Sequence, residues 1–160
     1  MSVSIQTGDI DVGAILDALA GDGGTGAVAS FIGLVRDHGD RKDIVAIELE
    51  HYPGMTERAL SAIEDEARRR FALTGCAIVH RVGRLDLGQR IVMVAAAAPH
   101  RAAALDACAF LIDWLKTKAP FWKREITADG AAEWVAAKMG DDAAAARWAV
   151  PRPTGTDGPD

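Results

Sequence analysis

The feature that most constrains the fold is a long apolar segment, residues 100–118, that ends just before a proline. Pro99 precedes the segment, and Ala119 precedes Pro120, a position that disfavours the α conformation. The pattern predicts one helix over 100–118 that is apolar around most of its middle. Because such a helix is buried on most sides, we expect it to pack on a sheet and also against a second copy of the chain.

Basic residues are concentrated on both sides of this proline. Lys116 and Lys118 lie in the last helical turn, where they offset the negative end of the helix dipole. Lys123 and Arg124 lie past the break, beside two large aromatic residues, and that explanation does not apply to them. The chain has a net charge of −5, which argues against a general nucleic-acid or membrane binder. The cluster therefore predicts a local anion site in an acidic protein.

The rest of the chain mixes helices with strands joined by short turns, which predicts an α+β domain with a largely antiparallel sheet. Strands are predicted over 27–35, 44–52, 76–82, 90–98 and 121–126, of which the first is expected to be buried, and residues 85–89 are predicted to form a hairpin loop. Helices are predicted over 11–20 and 56–71, the second capped by Thr56, and two short helical stretches are predicted around Trp134 and Trp148. We expect a single domain over residues 1–148. Residues 149–160 are rich in proline and glycine, which predicts a disordered tail.

Cysteine usage and the N-terminus predict a soluble cytoplasmic protein. Cys76 and Cys108 form no CxxC pair, so a disulfide scaffold or zinc knuckle is not expected. Neither cysteine has an activating neighbour in sequence, so cysteine nucleophilic catalysis is not indicated. Cys76 and His80 share a strand face, but no third ligand is in sequence reach, and no metal site is predicted. The sequence shows no secretory signal and no apolar run near the roughly 20 residues that span a bilayer.

His100 and Arg101 open the predicted helix, where free backbone N–H groups favour an anion, although a solvated surface pair explains them equally well. A rise of 1.5 Å per residue puts His100 about 24 Å from Lys116. Either the two ends serve different sites, or one site is assembled across a two-fold axis from the helix start of one chain and the helix end of another. A lysine close to other cations loses its proton more easily, and it can act as a general acid or base or as a fixed charge.

Four segments, FIGLVRDH (31–38), LEHYPGM (49–55), PHRAAAL (99–105) and LKTKAPFWKRE (115–125), resemble the large, catalytic subunit of molybdopterin synthase. The resemblance runs in order from about residue 26 to residue 148. It implies an α/β-hammerhead-like fold and a sulfurtransferase that installs the dithiolene of molybdopterin on cyclic pyranopterin monophosphate (precursor Z). It also implies that the sulfur comes from the C-terminal thiocarboxylate of a small ubiquitin-like partner, in a heterotetramer with the site at the dimer interface, and it implies no cofactor.

The resemblance also implies site residues by position. Lys116 and Lys123 match the two catalytic pocket lysines. The implied substrate-binding residues are Leu34, Val35, Arg36, His100, Arg101, Lys116, Lys123, Arg124, Glu125 and Lys138. Lys138 stands where an arginine is expected, and lysine lacks arginine's bidentate fork; Leu34 stands where a lysine often precedes the Val-Arg pair. The alternative function is a non-catalytic module that binds a phosphorylated ligand or a partner tail, which would not need lysine in particular.

Overall fold

The computed structural model describes residues 2–21, 23–135, 143 and 146–149. That part of the chain contains three helices and eight strands, and the strands form two four-stranded sheets. In chain order the elements are β1 (Val3–Gln6), α1 (Val12–Ala20), β2 (Ala27–Leu34), β3 (Ile44–His51), α2 (Met55–Phe71), β4 (Gly75–Arg81), β5 (Gly83–Asp86), β6 (Arg90–Ala98), α3 (Arg101–Lys118), β7 (Phe121–Thr127) and β8 (Ala132–Val135).

The two sheets differ in strand direction. The first sheet has the order β1-β4-β6-β2, with β1 parallel to β4 and the other pairs antiparallel. The second sheet has the order β5-β3-β7-β8 and is antiparallel throughout. The predicted α+β class with largely antiparallel pairing is confirmed.

The main core lies between the first sheet and the helices α2 and α3. The apolar residues of α2 recur every three or four positions and so face the sheet; Leu60 is fully buried in the same core cluster as Ile78 and Phe110. On the opposite face of this sheet, α1 packs over a smaller cluster around Met93. Ile91 packs against both the main core and the cluster of the second sheet, so the two sheets share apolar contacts.

Helix α3 begins within one residue of the predicted start and ends at the predicted residue, between an N-cap at His100 and a C-cap at Ala119. It starts three residues after the end of β6 and packs on β2, β6 and α2. Helix α3 therefore runs over the first sheet in the direction opposite to β6, and its last turn lies at the end of the sheet where β4 ends. On its outer side Leu105 is 61% exposed, and packing of α3 against a second copy stays a prediction. No described helix, α3 included, is long and apolar enough to cross a membrane.

The predicted hairpin loop over residues 85–89 is only partly right, because residues 87–89 form a turn but residues 85 and 86 belong to a strand. Residues 83–86 form β5, which leaves the first sheet and pairs with β3 in the second. Gly83 has a φ of +86°, in the left-handed region that glycine adopts without steric cost, and the chain changes sheet at this residue. Strands β4 and β6 still pair with each other across this insertion.

Two further predictions are wrong because tertiary pairing decides the outcome. The strand over residues 27–35 is not buried, since β2 is an edge strand and leaves Val28, Phe31 and Leu34 exposed. Trp134 lies in a strand and not in a helix, because β8 pairs with β7 and pairing overrides the weak preference of a short segment. Most of the predicted helical stretch around Trp148 lies outside the described residues, as does the tail 149–160 apart from its first residue.

Thr56 does not cap α2. The N-cap is Gly54, whose N–H donates to the Glu57 carboxylate at 2.6 Å. The Thr56 side chain is instead fully buried, where its hydroxyl accepts from the Tyr52 N–H at 2.9 Å and donates to the carbonyls of Tyr52, at 3.0 Å, and Pro120, at 3.2 Å. This hydroxyl ties the start of α2 to the turn that precedes β7.

Replacing Gly26 with alanine should destabilise the protein, because a Cβ at this position would collide with the backbone carbonyl of Pro99. The Gly26 N–H also donates to the Ala98 carbonyl at 3.0 Å, so the chain cannot move away without losing that bond. We expect a loss of about 1–3 kcal/mol in the free energy of unfolding, measured in urea. Gly8→Ala is the matched control, since a Cβ there meets nothing within 4 Å. Equal stabilities for the two variants would contradict this account of the β2 start.

Candidate active site

The turn at Pro120 places two lysine-bearing elements next to each other. Ala119 has an extended conformation, with φ −78° and ψ 131°, so the predicted helix break before the proline is confirmed. Strand β7 begins immediately after Pro120. Lys116 therefore lies in the last turn of α3, and Lys123 is the third residue of β7. The Thr56 hydroxyl holds the carbonyl of the proline between them.

Alternation along β7 aims Lys123 toward the inner face of the second sheet. Residues two apart share a strand face, so Lys123 lies on the same side as Glu125. Their cross-strand partners are Leu49 and Ile47, which are both buried in the core of this sheet. The Lys123 ammonium lies 3.4 Å from the Glu125 carboxylate, and the Lys123 side chain is 36% exposed. It therefore sits at the rim of the apolar layer, with its charge in reach of solvent.

Glu125 is the most deeply buried charge among the described residues near this turn, with 1% exposure. Its carboxylate accepts the backbone N–H groups of Asp40, at 3.4 Å, and Arg41, at 3.1 Å. Gly39 packs so closely on the carboxylate that a Cβ there would collide with it. One buried carboxylate thus orients Lys123 and also fastens the loop between β2 and β3, which carries Arg36, to β7.

Arg124 faces the other way. It lies on the outer face of the second sheet, where it pairs with Glu48 at 2.6 Å and stacks over the Trp134 ring at 5.3 Å. Its charge is therefore neutralised on the face opposite to Lys123. In this chain Arg124 is placed to hold β3, β7 and β8 together.

The predicted site residues near the end of β2 differ in accessibility. Leu34 is 54% exposed, whereas the Val35 side chain is 4% exposed and packs in the core of the second sheet. Arg36 is exposed on the loop that follows. The buried Val35 side chain therefore anchors the chain next to Arg36. Lys138 lies outside the described residues.

His100 and Arg101 lie at the far end of α3 from Lys116. Both are exposed, and they follow the end of β6, which pairs with the start of β2. Arg36 follows the other end of β2. A helix of 18 residues is about 27 Å long. In one chain the structure therefore separates two groups of basic residues. Arg36, Lys116 and Lys123 lie at one end of the strands of the first sheet, and His100 and Arg101 lie at the opposite end.

His80 adjoins the lysine turn, although sequence reasoning considered it only as a metal ligand. It is the residue before the last of β4 and is 5% exposed. Its ring stacks on Phe121 with centroids 3.7 Å apart. The pKa of His80 is lowered to about 4, chiefly by burial, with a smaller contribution from the positive charge of Lys116. The sequence did offer one signal for His80, because it is a single histidine in an apolar strand just before the chain changes sheet. Its stacking partner, however, lies 41 residues away, and no local pattern predicts the contact.

The two cysteines take no part in this arrangement. Burial raises the pKa of Cys76 to about 12 and that of Cys108 to about 11. Both are free thiols in the main core. Because the thiolate is the nucleophilic form, neither cysteine is suited to carry sulfur during a reaction.

The comparisons with known proteins agree on one protein family. A family model described as "MoaE protein" matches residues 5–118. The chain is 50% identical to the molybdopterin synthase catalytic subunit of Pseudomonas aeruginosa over 149 residues, covering 92% of this chain and 99% of that protein. It is 51% identical to the subunit of the same name from Cereibacter sphaeroides over 149 residues, with 92% and 100% covered.

Solved structures give the same picture at the level of the backbone. A molybdopterin biosynthesis MoaE protein from Burkholderia ambifaria superposes with a TM-score of 0.79 at 53% identity, covering 93% of this chain and 98% of that one. A molybdopterin synthase chain from Staphylococcus aureus superposes with a TM-score of 0.77 at 31% identity, covering 82% and 95%.

Replacing Glu125 with glutamine should destabilise the protein strongly. The amide NH₂ would face backbone N–H donors, and Lys123 would lose its counter-ion. Removing one partner of a buried, hydrogen-bonded charge costs about 2–4 kcal/mol, measured as the free energy of unfolding. Glu66→Gln is the matched control, because Glu66 pairs with Arg69 on the exposed side of α2 and such surface pairs contribute about 1 kcal/mol or less. Similar losses for both variants would show that Glu125 does not fasten the loop.

Proposed function

The chain belongs to the MoaE protein family, and we propose that it is the catalytic subunit of a molybdopterin synthase. In this function it transfers sulfur from the C-terminal thiocarboxylate of a small ubiquitin-like subunit to cyclic pyranopterin monophosphate (precursor Z), which yields the dithiolene of molybdopterin. The structural observation that supports it best is the pair of lysines on either side of the Pro120 turn, one of them held by a buried carboxylate. The non-catalytic alternative is not favoured, because the relatives are named as catalytic subunits.

Sulfur transfer brings two anions together, the phosphate of the substrate and the thiocarboxylate of the tail. A protein of net charge −5 must supply the compensating cations locally. Lys116 and Lys123 stabilise the thiocarboxylate and move the protons that the reaction needs. When the sulfur leaves the acyl carbon, an oxygen from water takes its place, so each transfer leaves an ordinary carboxylate on the tail. The buried thiols of this chain are not required as carriers.

The substrate phosphate, in this proposal, is held by cations from two copies of the chain. Arg36 lies on the lysine side of the first sheet, whereas His100 and Arg101 open α3 at the opposite edge, where free N–H groups of the first turn add to the attraction. Because one chain cannot bring both groups to a small molecule, a second copy supplies the helix start to the lysine turn of the first. Lys138 belongs to the same proposed set.

The proposed assembly is a heterotetramer of two large and two small subunits, with the homodimer of this chain at its centre. We also propose that residues 1–148 form one domain, which the shared packing of Ile91 supports, and that residues 149–160 form a tail. A cytoplasmic location fits the two free cysteines, since reducing compartments keep thiols reduced.

Lysine-to-arginine substitutions should separate catalysis from binding. Lys123→Arg and Lys116→Arg keep a positive charge but remove the amine that can lose a proton and take one up again. We expect molybdopterin formation from precursor Z and the thiocarboxylated small subunit to fall by about 100-fold or more, with binding of precursor Z changed by only a few-fold. Lys118→Arg is the matched control, because Lys118 lies in the same helical turn, over the Trp114 ring, and should retain activity. Retained activity in all three variants would favour the non-catalytic module.

Two inactive variants should restore activity when they are co-expressed. One carries His100→Ala and Arg101→Ala, and the other carries Lys116→Ala and Lys123→Ala. In a mixed dimer one of the two shared sites is intact, so random pairing should recover about a quarter of wild-type activity. Co-expression of His100→Ala with Arg101→Ala is the control that should recover nothing. If native mass spectrometry detects mixed dimers but activity stays absent, the site is not shared between copies.

A further inference from the structure

The loop over residues 38–41 closes directly over the Glu125 carboxylate. Glu125 is 1% exposed, whereas Gly39 and Asp40, which lie over it, are exposed to solvent. A single layer of backbone therefore separates the carboxylate from water on this side. That layer is held by the N–H groups of Asp40, at 3.4 Å, and Arg41, at 3.1 Å, which both donate to the carboxylate. A further bond, from the Gly39 N–H to the Arg41 carbonyl at 2.9 Å, fixes the shape of the loop.

The close approach of the loop depends on the missing side chain of Gly39. A Cβ at this position would collide with Oε1 of Glu125 and would lie 3.3 Å from Cδ1 of Ile44. Ile44 is itself buried in the core of the second sheet. Gly39 is not needed for its backbone conformation, because its φ is not positive. The requirement for glycine is therefore one of space above the carboxylate.

The oxygen that meets Gly39 is also the oxygen that holds Lys123. Oε1 of Glu125 lies 3.4 Å from the Lys123 ammonium, and Oε2 accepts the Arg41 N–H. Any displacement of the carboxylate by the loop therefore moves the counter-ion of Lys123. The lysine side chain is long and 36% exposed, so without a fixed partner it would regain its rotamer freedom.

We propose that Gly39 is a positioning residue for Lys123 in the sulfur-transfer reaction. When the loop is closed, its backbone donors fix the Glu125 carboxylate, and the carboxylate fixes the ammonium at the rim of the apolar layer. This inference rests on the proposed function. The competing explanation is that the close packing of Gly39 stabilises the fold and has no effect on the lysine.

Gly39→Ala separates these explanations because it changes no charge and removes no hydrogen-bonding group. The added Cβ must push the loop off the carboxylate or push the carboxylate away from Lys123. The assay is molybdopterin formation by the complete complex with the thiocarboxylated small subunit and precursor Z. It measures kcat and KM separately, together with the melting temperature of each variant.

Two controls accompany this variant. Lys42→Ala alters the same loop, but Lys42 is exposed and its replacement leaves the backbone donors in place. Phe71→Leu is the control for loss of stability alone. Phe71 stacks on Phe110 in the main core and is the last residue of α2, whereas the start of that helix is the part that is tied to the Pro120 turn.

We expect Gly39→Ala to lower kcat by about tenfold or more with KM within about threefold, because small displacements of a reacting group have effects of this size. Lys42→Ala and Phe71→Leu should keep kcat within about twofold, although Phe71→Leu should melt at a lower temperature. Because Gly39 acts through Lys123, adding Gly39→Ala to Lys123→Ala should lower the residual rate by less than about twofold.

Amide hydrogen exchange tests the closed loop in the wild-type complex, independently of how well any variant folds. The N–H groups of Asp40 and Arg41 should exchange about tenfold or more slowly than in an unstructured peptide, because they donate to a buried acceptor. In Gly39→Ala both groups should lose most of this protection. Wild-type exchange as fast as in the peptide would show that the loop is not closed in solution and would overturn the inference.

A Gly39→Ala variant with the kcat of the wild type would also overturn the inference, as would an equally large effect of Gly39→Ala in the presence and absence of Lys123. The proposed function fails separately, if the wild-type complex forms no molybdopterin or if Lys123→Arg is as active as wild type. An active wild type with an inactive Lys123→Arg and an unaffected Gly39→Ala would remove the inference and leave the proposed function intact.

Discussion

The arrangement of the site depends on the length and burial of α3. The helix has 18 residues and is about 27 Å long. Ala104, Ala107, Phe110 and Leu111 are buried along it, so it cannot bend or slide without opening the main core. Its start carries His100 and Arg101, the proposed anion-binding pair, and its last turn carries Lys116, so a small substrate cannot touch both ends. A second copy of the chain is the simplest way to bring the two ends together.

The lysine end of this helix is fixed by three contacts that come from distant parts of the chain. The Thr56 hydroxyl holds the Pro120 carbonyl, the His80 ring stacks on Phe121, and the buried Glu125 carboxylate binds both Lys123 and the loop after β2. Each contact is made by a polar or aromatic group inside an apolar layer, where an unmade hydrogen bond is costly. Lys123 is therefore held by a buried carboxylate and still reaches solvent.

Sequence reasoning predicted the parts of this structure that depend on local patterns. The limits of α3, the break at Pro120 and the separation of His100 from Lys116 all follow from helix periodicity and proline sterics. The family resemblance supplied the lysine pair.

The wrong predictions concern long-range pairing. Residues 83–86 join the second sheet because Gly83 turns the chain, Trp134 enters a strand because β7 offers an edge, and β2 is exposed because no described strand lies beyond it. His80 was missed for a similar reason, since its partner Phe121 is distant in sequence and nothing local predicts a stack. Local periodicity states which residues are apolar, but it does not state which strand or ring they meet.

The most direct measurement is a crystal structure of the complex of this chain with its small subunit and precursor Z. The account predicts that the phosphate lies against His100 and Arg101 of one copy, while the C-terminal tail of the small subunit ends between Lys116 and Lys123 of the other copy. A bound substrate that contacts the lysines with His100 and Arg101 of both copies facing open solvent would contradict it.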